Sequence, residues 1–147
     1  MMNFEKWIEQ NRPKRDYPGR KSVCRFMDIA RRNLNDSHIS GISDDAKFMF
    51  SYHAIMILAK ACMHAEGWRF GSTPGHHYKY IESLVYILEL PADRVDAIQR
   101  FRVKRNTCEY EQAYTVSLKE ADAIQKVASE LMEKVSEHME TKHPDLY

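Results

Sequence analysis

Glycine and proline number only five each in 147 residues, which excludes collagen-like and loop-dominated chains and leaves room for long unbroken helices. Cysteine is almost as scarce. Cys24, Cys62 and Cys108 lie far apart with no CxxC spacing, so neither a zinc knuckle nor a disulfide framework is indicated, and reduced thiols in a cytosol are the simplest reading. Long hydrophobic runs are missing too. The most apolar stretch, Phe48 to Ala65, is interrupted by Ser51, Tyr52, His53, Lys60 and His64, which reads as a buried central helix and not as a membrane span. The opening "MMNFEKWIEQNRPKR" mixes charges through its apolar positions and has no secretory core. Apart from a weak "YTVSL" there is no alternation of the kind strands need, and no repeat period or low-complexity tract. A soluble, cytoplasmic protein without membrane contact is expected.

What is present is helix-forming material. Hydrophobic residues make up 44% and charged residues 29% of the chain, enough to bury a core in one domain of this size. The net charge of +1 hides a polarity: residues 1 to 35 carry nine Lys or Arg against four acids, and residues 117 to 147 carry four Lys against seven acids. Such a polarity suits an anion bound at one end, and equally suits ordinary solvated helix faces.

Periodicity places the elements. Phe4, Trp7 and Ile8 predict a short amphipathic helix before the breaker "NRPKRDYPG", making residues 1–18 a helix and linker. Val23, Phe26, Met27, Ala30 and Leu34 mark a helix from about Lys21 to Leu34. Ser43 is placed to cap a long helix with Asp44 and Asp45 in its first turn. Because apolar residues of that helix point in nearly every direction, it should be the centre of the fold. His77, Tyr80, Ile81, Leu84, Val85 and Leu88 give the next helix, and Pro91 opens another with Val95, Ile98 and Phe101 as its apolar side. "SLKE" is a capping box before the last helix. The expected class is all-α, an antiparallel up-and-down bundle of four to five helices over residues 19–142, with 143–147 as a tail.

The chemistry concentrates in "RFRVKRNTCEY", Arg100 to Tyr110. At helical pitch Arg102, Asn106 and Tyr110 form one stripe and Phe101, Arg105 and Glu109 the stripe beside it. Guanidinium donors with an amide and a phenol nearby are what a phosphate diester needs. The run "RVKRNTCEY", with "DDAKFMFSYHAIMILAKACMHAEGWRFGSTPGHHYKYIESL" before it, resembles the HEPN (higher eukaryotes and prokaryotes nucleotide-binding) domain family over residues 20 to 140. The resemblance implies RNA or nucleotide binding. In active members it implies a metal-independent ribonuclease site shared across a homodimer, often in toxin-antitoxin or anti-phage systems, hence a cognate protein partner. Arg105 and Asn106 match the first half of the family's motif; Tyr110 stands where its His would be. A phenol with a pKa near 10 is a poor base beside an imidazole near 6.5, so the ribonuclease implied is a weak or degenerate one. On this reading Arg105 holds phosphate, Asn106 positions it and Tyr110 bonds or stacks. Glu109, His76 and His77 are candidates for the missing proton carrier, and Arg102, His76 and His77 for binding substrate. No cofactor and no metal ligand set is indicated.

The alternative is a non-enzymatic dimeric interaction protein whose Arg and Asn face is structural. Asn106, mildly unfavourable in mid-helix, then has a buried hydrogen-bonding task, and Arg100, Arg102, Lys104 and Arg105 pair with acids such as Asp96 and Glu109. His76 and His77, adjacent on a helix, should diverge and make a poor metal pair. His53 and His64 read as core or rim residues, Met49, Met56 and Met63 as a packing seam, and Trp7 and Trp68 as anchors for flanking segments.

Overall fold

Ser43 starts the element on which everything else is built. Its hydroxyl accepts the backbone N–H of Ala46 at 3.1 Å, and Asp44 and Asp45 meet the positive end of the helix dipole. In this computed structural model, which describes residues 1–110 and 115–147 but not the side chains of 107–110, that helix is Asp44–Ala65. Among the described residues the six helices are α1 (Phe4–Asn11), α2 (Arg20–Asp36), α3 (Asp44–Ala65), α4 (His76–Ile87), α5 (Ala92–Tyr110) and α6 (Leu118–Lys142). The protein is an all-α bundle. α3 packs against α2, α4, α5 and α6, and Phe48, Ile55, Leu58 and Met63 are fully enclosed along it. A helix apolar on all sides is stable only when wrapped in this way.

The flanking helices contribute one face each. Val23, Met27 and Ala30 of α2, Ile81 and Leu84 of α4, Val95 and Ile98 of α5, and Ile124, Ala128, Val135 and Met139 of α6 close the core. The capping box at the start of α6 forms in both directions, with Glu120 N–H on the Ser117 hydroxyl at 3.1 Å and Ser117 N–H on the Glu120 carboxylate at 3.0 Å. No helix among the described residues is long and apolar enough to cross a membrane.

Both termini are docked. Trp7 is buried and its indole N–H donates to Glu82 of α4 at 2.7 Å, so α1 is anchored as its tryptophan suggested. At the other end Leu146 is buried, and the Tyr147 hydroxyl accepts from the Arg31 guanidinium at 2.7 Å. One small element escapes the periodicity reading. Lys14–Arg15 (β1) and Trp68–Arg69 (β2) pair as an antiparallel ladder of two residues each, inside the segments expected to be linker and loop. Two residues are too few to show alternation. The Arg15 guanidinium lies over the Trp68 ring at 4.7 Å and packs where a side chain on Gly67 (φ +89°) would stand.

Candidate nucleic-acid interface

The seam between α3 and α5 alternates from apolar to basic. Phe101 meets Phe48 edge to face at 6.1 Å; one turn further along both helices, the Arg105 guanidinium lies 5.8 Å from the Tyr52 ring centre. Arg102 points toward α4 instead. Its Nε donates to Gln99 at 2.9 Å, Gln99 in turn donates to the Tyr78 carbonyl at 3.0 Å, and the guanidinium sits 5.5 Å from the Tyr78 ring centre. Gln99 and the Tyr78 ring hold Arg102, and the Tyr52 ring lies against Arg105.

Opposite them, α4 begins at Gly75, whose left-handed φ of +84° turns the chain into the helix without a side-chain cap. His76 Nδ1 reaches the Thr73 carbonyl at 2.8 Å, and His77 Nδ1 lies 3.1 Å from the Tyr52 hydroxyl. The two imidazoles do not diverge as expected for helical neighbours. At the first turn they stand edge to face with centroids 4.5 Å apart. His76, His77, Tyr78, Arg102, Arg105 and Asn106, with the Ser72–Gly75 loop, line an open groove of about 400 Å³.

The electrostatics differ across the groove: at its outer edge the Tyr78 hydroxyl donates to Glu82 at 3.1 Å, whereas the inner end is cationic. Burial pushes His77 down to about 4, helped by His76, Lys60, Arg105 and Arg102. His53, exposed on α3, is lowered by partial burial and then by Lys60 and Arg105. Among the described residues the charges that lower both histidines are cationic, and the positive end of α4 adds to them at His77. His77 is therefore a neutral imidazole at pH 7.

Most of the predicted residues are brought together here: Arg102, Arg105, Asn106, His76 and His77 share one groove. Tyr110 and Glu109 fall among the side chains outside the described residues. Asn106 differs from expectation, being exposed, with its amide oxygen accepting from the neighbouring Arg105 at 3.4 Å. The turn that carries Arg102 and Arg105 toward α3 and α4 leaves Asn106 at the rim, so it has no buried hydrogen bond to make. The basic run also divides. Lys104 points away, to the Thr115 carbonyl at 2.9 Å and to Glu120 of α6 at 3.4 Å, not to Asp96. Sequence reasoning missed Tyr52, Tyr78, Lys60 and Gln99. The first three look like ordinary helix-face residues, and only the Phe48/Tyr52 spacing against Phe101/Arg105 carries a signal. Comparison of the chain with protein-family models, curated proteins and solved structures finds no match.

Proposed function

We propose that the groove between the start of α4 and the middle of α5 binds single-stranded RNA. The observation that carries this reading is the meeting of Arg102 and Arg105 with His76 and His77, where the charges of described residues that act on His77 are positive. A phosphate placed there relieves that repulsion. Beside it the Tyr78 ring, 43% exposed, offers a face on which a base stacks, and cations with an accessible aromatic are the usual equipment for single strands. The HEPN resemblance points to the same ligand class.

Neutral His77 supports a second reading, slow metal-independent cleavage. The imidazole would take the proton of a ribose 2′-hydroxyl as its oxygen attacks phosphorus, the 5′-oxygen leaving with a proton from water to give a 2′,3′-cyclic phosphate, while Arg105 balances the charge. A base whose conjugate acid ionises near 4 is weak at pH 7, so turnover should be low. The pairing of two copies and a cognate protein partner belong to the same proposal; Val103, 56% exposed beside Arg102 on α5, offers an apolar surface for either.

The test is binding and cleavage of end-labelled single-stranded RNA in EDTA, with Arg102→Ala/Arg105→Ala checked for native helicity. Expected is salt-sensitive binding by the parent that strengthens as pH falls toward about 4, since a bound anion favours protonated His77, and that the variant loses. Weak binding that ignores salt, or equal binding by the variant, would leave the face as an interaction surface.

A further inference from the structure

A second group of histidines sits far along the chain from the first. Glu66 is the residue at which α3 ends, His138 lies in the last turns of α6, and His143 is the residue at which α6 ends. His143 leaves the helix (φ −134°, ψ 55°), which folds its ring back beside His138 with centroids 5.6 Å apart. The Glu66 Oε1 is 3.2 Å from His143 Nε2 and 4.0 Å from His138 Nε2, and one ligand atom from each residue lies within 4.8 Å of the others. We propose that Glu66, His138 and His143 form a binding site for a divalent transition metal of the zinc class, tying the end of α6 to the end of α3.

Three observations converge on it. Two imidazole nitrogens and a carboxylate oxygen are a donor set that zinc accepts, and with bonds of about 2.0–2.1 Å a tetrahedral site puts its ligand atoms about 3.3 Å apart. The Glu66–His143 separation already has that length, and His138, 4.0 Å from Glu66 and within 4.8 Å of the His143 ligand atom, has to close toward both. His138 Nε2 is buried and has no hydrogen-bond partner among the described residues, so its lone pair or proton is unanswered in the protein alone. The C-terminal ends of α3 and α6 converge there, and their partial negative charge favours a cation. His143 and then Lys142 are the opposing charges that bear on His138. Three protein ligands leave a fourth position, and His138 also lines an open groove of about 400 Å³ beside the end of α4, which gives water or a small anion an approach. The site is independent of the RNA-binding reading, since none of its ligands lines that groove.

Cobalt(II) titration of the metal-stripped full chain tests it. Expected is the visible spectrum of a four- or five-coordinate ion, abolished by zinc(II). His138→Ala and His143→Ala should each weaken it by more than the roughly 10–100-fold that loss of an outer supporting partner costs. His76→Ala/His77→Ala should leave it intact. In the unsubstituted chain, zinc(II) should protect His138 and His143, but not exposed His53, from diethyl pyrocarbonate, as read by peptide mass spectrometry; this holds whether or not the variants fold. No spectrum at millimolar cobalt, a spectrum that survives loss of both histidines, or protection spread evenly over all histidines would overturn the site.

Discussion

The molecule carries two histidine pairs on opposite sides of its electrical balance. His76 and His77 open α4 among Lys60, Arg102 and Arg105, at the positive end of a helix. His138 and His143 close α6 around the carboxylate of Glu66, at the negative ends of two helices. Imidazole is the same group in both, yet the first setting gathers cations and invites an anion, whereas the second holds a carboxylate and invites a cation. The residue type says little about role; the charges and dipoles around it decide.

Both settings depend on α3, which lends Tyr52 to one and Glu66 to the other. The largest effect should therefore come from its centre. Leu58→Ala, fully enclosed, should cost about 2–5 kcal/mol by chemical denaturation, and metal binding and RNA binding should weaken together. A loss confined to one would mean that the two regions are stabilised separately. Next in size, Arg102→Ala/Arg105→Ala should weaken RNA binding by about tenfold or more and flatten the salt dependence by roughly 0.7 for each phosphate that is no longer neutralised, measured by fluorescence anisotropy, with cobalt binding unchanged.

A smaller effect isolates His77 by pH. Unfolded His77 gains its proton near pH 6.5 and folded His77 near 4. Between those values the unfolded chain holds more protons, so stability is full above about 6.5 and falls as pH drops toward 4. His53 and His138, also lowered, act in the same direction. Melting temperatures from pH 7 to 4 should show a shallower decline in His77→Asn than in the parent; an unchanged slope would remove His77 from the account. Smallest of all, Lys104→Ala should change RNA affinity less than twofold and stability by at most about 1 kcal/mol, because Lys104 serves α6 and not the groove. An effect as large as that of the Arg102/Arg105 pair would break the division of the basic run.

Much of the architecture was legible because it is local. Ser43 and the Ser117/Glu120 box announce helix starts through hydrogen bonds three residues long, and apolar residues all around residues 48–62 require a central helix whatever surrounds it. Arg102, Arg105 and Asn106 could be placed together on α5 for the same reason. The ladder between Lys14–Arg15 and Trp68–Arg69 was not legible, since its register depends on where α2 and α3 deliver the two segments.

The helices, the Ser43 and Ser117 caps, the all-α class and the stripe of cations on α5 could be read from the chain, because each follows from interactions within a few residues. Only the tertiary structure decided that His76 and His77 face those cations, that Asn106 stands at the rim, that Lys104 turns away, and that Glu66 meets His143 across 77 residues. Those outcomes depend on how helices pack around α3, and packing is a property of distant surfaces that no local spacing encodes.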